Sequence, residues 1–272
     1  MPELPEVQSV VAGLEPVVRG KIIEDIVVSW PRSLDGELSE VKQSLLGRAI
    51  ERVKRRGKYI VFEFSGSPAY ILTIHLRMTG KLLFQLDEKN APYERVTFQF
   101  QDGSRLFFVD IRKFGRVKLW RPDQPLLPCL GPDPLDEGIV LDVLRRLKTA
   151  RPIKTVLLDQ RILAGLGNIY ADEALFSAGV HPLTPANQIP ESNRGLLAKT
   201  IPGLLHEAIR HRGTTLSDYA TPDNREGEHQ LHLLVYGREG EVCKQCGSTI
   251  RRICVNNRSA HFCPACQPSI LK

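Results

Sequence analysis

Four of the six cysteines form two C-x-x-C pairs, Cys243 with Cys246 and Cys263 with Cys266, inside "CKQCGSTIRRICVNNRSAHFCPAC". Two such knuckles supply four thiolates, the tetrahedral sulfur set that zinc prefers. Four protein ligands leave no open coordination position, so the expected cofactor is one structural Zn2+ and not a catalytic metal. Redox chemistry is the alternative use of paired thiols. Cys254, between the pairs, reads as a packed thiol, and Cys129 stands apart. The chain between the knuckles suits a hairpin with Arg258 at its tip. That arginine is either solvated or delivered to a phosphate or a nucleic-acid groove.

A second reactive constellation lies in the opening run "MPELPEVQSVVAGLEP". Met1 precedes a small residue, so its removal is expected, leaving Pro2 with a free secondary amine. An α-amino group titrates near ~8, well below lysine at ~10.4, and part of it is nucleophilic at neutral pH. Glu3, the next residue, could protonate a leaving or ring oxygen. The plainer reading is a helix N-cap with acids at the positive end of the dipole, and the two are compatible. Lys58, in "RRGKYIVFEF", sits where a basic turn enters an apolar strand. It is either a surface lysine or a desolvated amine fit for proton or Schiff-base chemistry.

Three further segments carry weaker signals. "HLRMTG" and "DIRKFG" place Met78, Arg112 and Phe114 at the ends of predicted strands. Apolar residues beside an arginine on a loop can wedge into a base stack, although by sequence alone core packing is the favoured reading. In "LAGLGNIYADEALF", Gly165 and Gly167 form a turn and Asn168 opens a helix. Its unpaired N–H groups suit a phosphate, while an ordinary helix–turn–helix connection is at least as good an account.

The elements that must position these residues fall into distinct stretches. Val7, Val10, Val11 and Leu14 recur at helical spacing. Short β-type runs follow: "IIEDIVVSW", "YIVFEF", "AYILTIHL", "KLLFQL" and "GRVKLW", with "RVTFQF" and "RLFFVD" flanking "QDGS" as a hairpin. Residues 1–128 therefore read as one helix leading a two-layer β-sandwich. The Pro/Gly-rich stretch 129–138 reads as a linker. From 139 the pattern is helical, with "VLDVLRRLK", "IKTVLLDQRIL" and a long run in which Pro202 predicts a kink or two helices. Residues 214–230 are polar without a period and read as a mobile loop. The cysteine module, 237–272, closes the chain. The fold class is α+β with two domains.

The bulk properties agree. Net charge is +6, with 42% hydrophobic and 25% charged residues among 272, as in a globular protein. Arg48, Arg52, Lys54, Arg55, Arg56 and Lys58 face a single acid, Glu51, within one short run. Arg238, Lys244, Arg251, Arg252, Arg258 and Lys272 form a second cluster against Glu239 and Glu241. Neither cluster is a lipid-inserting amphipathic helix, so nucleic acid is the expected polyanion. No apolar run reaches the ~20 residues of a membrane span, and no signal peptide is visible, so the expected location is the cytoplasm.

Taken with "MPELPEV", "RRGKY", "HLRMTGK", "DIRKFG", "LGPDPL", "VLLDQ", "AGLGNIYADEALF", "VYGREG" and the terminal ribbon, the chain resembles the bacterial formamidopyrimidine-DNA glycosylases over essentially its whole length. The resemblance implies a β-sandwich joined to a helix-two-turn-helix domain (139–236, including a lesion-recognition loop at 214–230) and a zinc finger. It implies an enzyme acting on double-stranded DNA with oxidised bases and cutting the strand by β- and δ-elimination; a monomer fits, with the oligomeric state left open. By the same resemblance Pro2 is the nucleophile, Glu3 the proton donor, Lys58 the second catalytic amine and Arg258 the fingertip residue of δ-elimination. Met78, Arg112 and Phe114 fill the gap left by the flipped base, and Lys154, Asn168 and Tyr236 contact phosphates. A glycosylase must extrude its target nucleotide, which independently calls for wedges.

Some positions depart from the family's pattern. Tyr93 and Arg95 stand where histidines are common, and the DNA contact expected there is assigned to Tyr93. Ser259 follows Arg258 in a fingertip that often reads Gly-Arg-Gly-Thr. Thr79 replaces a frequent glutamate, and Pro202–Gly203 interrupts a helix that usually runs through. The alternatives are an endonuclease VIII-type glycosylase for oxidised pyrimidines, whose start usually has Gly where this chain has Leu4, and a non-catalytic zinc-ribbon DNA-binding protein.

Overall fold

The computed structural model describes residues 1–85, 93–216 and 219–269. Leu86, the end of the expected strand "KLLFQL", lies outside them, as do residues 217–218 of the expected loop and 270–272 of the finger domain. The chain forms two compact units, Met1–Pro128 with His211–Gln230, and Cys129–Arg210 with Leu231–Lys272.

In the first unit, α1 (Leu4–Val18) leads the chain. Its apolar positions Val7, Val10, Val11 and Leu14 are buried together with residues of both sheets, as their 3.6-residue period requires. One sheet orders its strands β1-β7-β8-β6 and the other β2-β9-β5-β4-β3. The strands are β1 (Ile23–Val28), β2 (Leu34–Asp35), β3 (Ile50–Arg56), β4 (Tyr59–Phe64) and β5 (Ile71–His75). They continue as β6 (Gly80–Phe84), β7 (Glu94–Phe100), β8 (Arg105–Asp110) and β9 (Arg116–Trp120). Ile26, Phe98, Phe100 and Phe108 from one sheet meet Ile60, Phe62, Ile74 and Val117 from the other, forming the sandwich core. The expected hairpin is present, with β7 antiparallel to β8.

Three elements are absent from the sequence reading, one of them the two-residue strand β2. The helix α2 (Leu38–Leu45) buries only Val41, Ser44 and Leu45, too short a stripe to stand out in sequence. Strand β3 coincides with the basic run, because only Ile50 and Val53 are fully buried while its arginines and Lys54 stay at the surface. Charge masked the strand pattern there.

Residues 211–230, expected with the helical domain, instead belong to the first unit. Tyr219 enters the sandwich core, and its hydroxyl donates to the carbonyls of Glu6 and Arg212 at 3.2 and 3.0 Å. The segment's polar side chains bond within it: Gly227 N–H donates to Thr215 Oγ1, and Arg225 N–H to Thr221 Oγ1. Polarity without a period therefore encodes a hydrogen-bonded loop stapled by one aromatic.

In the second unit, α3 (Glu137–Arg145) is capped by Asp136, which accepts from Ile139 N–H at 2.8 Å. The expected linker is partly built in: Gly131 N–H donates to Gln160 O, and Ala164 N–H to Pro132 O. Helix α4 (Ile153–Leu157) is shorter than its pattern predicts. The Asp159 carboxylate accepts from Arg161 N–H at 3.1 Å, and the Gln160 amide spans Leu158 O, Leu166 O and Gly165 N–H. These local bonds outcompete further helix. Helix α6 (Glu191–Arg210) runs through Pro202, so neither a two-helix split nor a break occurs. Burial of Leu197, Ala198, Ile201, Leu205 and Ala208 along one face offsets the ~3 kcal/mol that an interior proline costs.

Helix α5 (Asn168–Ser177) is buried on every side from Ile169 to Phe176, including Asp172 and Glu173. Both acids are bonded to partners far along the chain, Asp172 to the Lys154 ammonium and the His261 N–H. The Glu173 carboxylate accepts from the N–H groups of Leu234, Val235 and Tyr236 at 2.8–2.9 Å. Burial pushes its pKa up, and the three N–H donors pull against that shift. Hairpin β10 (Arg251–Val255) and β11 (Arg258–Phe262) turns at Asn256–Asn257, both with positive φ, as a two-residue turn demands. Replacing Glu173 by Leu strands one buried and two partly buried donors and should cost on the order of 3 kcal/mol. Urea unfolding of the purified variant measures that loss directly.

Candidate active site and nucleic-acid interface

The amino-terminal residues are held still by reciprocal capping. Glu3 is the N-cap of α1 and Glu6 is its N3 residue, and each side chain accepts from the other's backbone N–H. The Glu6 to Glu3 bond is 2.7 Å. Pro5 occupies the first turn, where its missing N–H is no loss. Pro2 and Glu3 are buried, Glu3 to 2% exposure. The other oxygen of Glu6 accepts from Thr214 N–H at 2.8 Å. Gly213 makes that approach possible: a Cβ there would lie 2.7 Å from Glu6 Oε1, and its φ is +79°. Glu6 thus joins the chain start to the 211–230 segment.

Lys58 occupies the two-residue turn between β3 and β4 and is only 5% exposed. It is not the surface lysine of the plainer reading. Strand β3 is tied to α1 by Arg55 Nε donating to Gln8 Oε1 at 2.9 Å. His75, paired with Tyr59 across β4 and β5, packs edge-on against that ring at 4.6 Å. Its Nδ1 accepts from Arg77 N–H at 3.0 Å, so its proton belongs on Nε2. Burial and the nearby Arg77 and Lys58 charges push its pKa down to about 3.

Met78 and Phe114 are exposed, at 39% and 48%, so they are not the core residues that sequence alone favours. Each lies in a turn that passes from one sheet to the other. Arg112 stacks its guanidinium over the Phe114 ring at 4.9 Å. Tyr93 is exposed with φ +67°. Its neighbour Arg95 instead donates to the Asp110 carbonyl at 2.8 Å.

In the second unit, Asn168 is the first residue of α5, after Gly167 at the N-cap, and its Nδ2 donates to Ser259 Oγ at 3.2 Å. Arg258 is exposed beside the finger turn. Asn256 Nδ2 donates to Thr155 Oγ1 at 2.9 Å, tying that turn to α4. Tyr236 packs edge-on against His261 at 4.9 Å.

Lys154 requires a correction. It is wholly buried, with Nζ 2.5 Å from Asp172 Oδ1 and a further bond to the Ser259 carbonyl. A side chain so enclosed does not present its ammonium to a phosphate. Asp172 also accepts from His261 N–H at 2.9 Å, so the lysine and the acid seat the finger hairpin on α4 and α5. Cys254 is likewise exposed and not packed.

The four knuckle sulfurs converge. Cys243 and Cys266 Sγ are 3.9 Å apart, Cys246 and Cys263 Sγ 3.4 Å, and all four lie within 4.8 Å of one another. Sulfurs bound to one zinc at ~2.3 Å are separated by about 3.8 Å. The set therefore fits one structural zinc, and Phe176, Val235 and Ile250 pack around it.

Comparison with known proteins decides the family. The formamidopyrimidine-DNA glycosylase N-terminal domain matches residues 1–117, the H2TH domain of the same enzymes matches 130–220, and the zinc finger found in FPG and IleRS matches 240–268. The chain belongs to the formamidopyrimidine-DNA glycosylase family. It is 44% identical to that enzyme of Bacillus licheniformis and 41% to that of Bacillus subtilis, in each case over 98% of this chain and 99% of the relative. A Lactococcus lactis FPG mutant solved with Fapy-dG-containing DNA superposes with a TM-score of 0.89 at 38% identity, covering 98% of this chain and all of that one. The same enzyme has been solved with abasic-site DNA, again with a TM-score of 0.89 and the same coverage. The chain is accordingly a DNA glycosylase of base-excision repair, in a family that couples base removal to abasic-site lyase activity. Among the described residues, no helix is long and apolar enough to cross a membrane.

Two outcomes follow from the site. Unfolded histidine takes up a proton below about 6.5, whereas folded His75 does so only near 3. Folding stability should therefore fall as pH drops through that window, by about 2 kcal/mol between pH 7 and pH 5 from this group alone. His75→Gln should flatten that slope in urea unfolding at the two pH values. Chelating the zinc should unfold the finger and abolish DNA binding, as an electrophoretic shift with a lesion duplex would reveal.

Proposed function

We propose that this protein excises oxidised purines, 8-oxoguanine and formamidopyrimidines, from duplex DNA through the amine of Pro2. The observation that carries the reading is the immobilised, buried Pro2–Glu3 pair at the head of α1, fixed by Glu6. With Met1 removed, the Pro2 nitrogen attacks C1′ of the damaged nucleotide and the bond from C1′ to the base breaks. Glu3 supplies a proton to the ring oxygen as the sugar opens, leaving an iminium between Pro2 and C1′. Loss of a C2′ proton expels the 3′ phosphate, and a second elimination expels the 5′ phosphate. Lys58 serves the first elimination and Arg258 the second.

The partner is double-stranded DNA bound by a monomer in the cytoplasm. Met78, Arg112 and Phe114 occupy the space vacated by the everted nucleotide, with Tyr93 adding an aromatic contact in place of a histidine. Asn168 and Tyr236 hold phosphates. Lys154 acts from within the protein by seating the fingertip that carries Arg258.

A second reading, preference for oxidised pyrimidines, draws on one observation. The Lactococcus lactis enzyme was solved with an oxidized pyrimidine containing DNA, and it superposes here with a TM-score of 0.88. Borohydride reduction during reaction with an 8-oxoguanine:cytosine duplex should trap a covalent adduct, and Pro2→Gly or an N-terminal extension should diminish it. Undiminished trapping by either variant overturns the Pro2 mechanism. Faster excision of thymine glycol than of 8-oxoguanine overturns the purine assignment.

A further inference from the structure

Asp110 is the last residue of β8 and has no exposed surface. It stands between the two exposed turns that carry Met78 on one side and Arg112 with Phe114 on the other. These turns run side by side because of the strand pairing. One connects β5 to β6 and the other β8 to β9, while β5 pairs with β9 and β6 with β8. Both cross from one sheet to the other at the same end of the sandwich.

The Asp110 carboxylate reaches both. Oδ1 accepts from Thr79 Oγ1, next to Met78, at 2.5 Å and from Arg112 N–H at 3.2 Å. Oδ2 accepts from Gly115 N–H, next to Phe114, at 2.7 Å. Thr79 Oγ1 is itself 3.2 Å from Arg112 N–H, so the hydroxyl bridges the turns a second time. The space is closed tightly around this group. A Cβ on Gly115 would lie 2.3 Å from the Phe108 ring and 3.2 Å from Asp110 Oδ2.

Outer braces complete the frame. Arg95 holds the Asp110 carbonyl, and Lys113 Nζ lies 4.1 Å from the centre of the Trp30 ring. Arg77 and Lys113 both adopt positive φ, 56° and 61°, conformations that non-glycine residues hold only when their surroundings enforce them.

We propose that Asp110 and Thr79 are positioning residues that clasp the two turns into a single rigid wedge, so that Met78, Arg112 and Phe114 enter the base stack together. The inference rests on the glycosylase reading of these three side chains and adds what holds them. A wedge on two independent loops would spend binding energy on ordering them during insertion. A clasped wedge is ordered beforehand. Thr79 is the bridging donor, and no acidic side chain at that position could donate in its ionised form.

The test uses the full-length protein and single-turnover excision of 8-oxoguanine from two duplexes, one fully paired and one with mismatches flanking the lesion. Thr79→Val keeps the side-chain shape and removes the bridging hydroxyl. It should slow excision from the paired duplex roughly tenfold or more and change excision from the already unstacked duplex far less. Thr79→Ser should restore the paired-duplex rate. Combining Thr79→Val with Met78→Ala should cost less than the sum of the two single losses, since part of the clasp's effect is exerted through Met78.

A readout independent of activity is amide hydrogen exchange. Arg112 and Gly115 N–H should be protected in the wild type and exchange faster in Asp110→Asn. Equal slowing of Thr79→Val on both duplexes, or wild-type rates on both, overturns the clasp while leaving the glycosylase reading intact. Absence of excision by the wild-type protein overturns that reading and the clasp with it.

Discussion

The buried carboxylate of Glu6 is the point on which the position of the chain start in the first unit depends. One of its oxygens holds the backbone of Glu3 and the other holds the backbone of Thr214, 208 residues away in sequence. Chain ends otherwise fray, and this one is held in place by both contacts. Helix dipole, capping box and a buried acid act together here. Tyr219 strengthens the same junction by donating to the Glu6 carbonyl from within the sandwich core.

The second unit solves a similar problem with the same device. Asp172 and Glu173 are adjacent and buried on one helix, and each commits its carboxylate to donors elsewhere in the chain. Glu173 gathers three consecutive N–H groups leading to Tyr236, and Asp172 takes His261 and Lys154. Buried carboxylates are costly unless fully satisfied, and satisfied ones are geometrically strict. The zinc fixes the base of the finger, while Lys154, Asn168 and Thr155 bond to its tip. Metal and buried acid therefore set the position of Arg258 from two sides.

These acids also explain where sequence reading misassigned residues. The family resemblance implied a phosphate contact for Lys154, and nothing in the surrounding sequence marks it as buried. Its partner Asp172 lies 18 positions on, a separation with no local pattern. Met78 and Phe114 looked like core residues because strand-end apolar side chains usually are. The crossing of both turns from one sheet to the other turned them outward. The 211–230 segment looked independent of the sandwich because its single anchoring aromatic, Tyr219, has no periodic neighbours to signal burial.

By itself the sequence determined what is local. The C-x-x-C spacing specified four zinc ligands, since both knuckles are short-range geometry. The Pro2–Glu3–Glu6 arrangement specified a capped helix start, and alternation in 94–110 specified a hairpin. The run of family motifs specified the enzyme class. Only the tertiary structure decided which charges are buried and which apolar residues are exposed. Those outcomes depend on contacts between residues far apart in the chain, such as Glu6 with Thr214, Asp172 with His261 and Thr79 with Asp110. Propensity and period carry no information about such pairs, because their energy arises only when folding removes both partners from water.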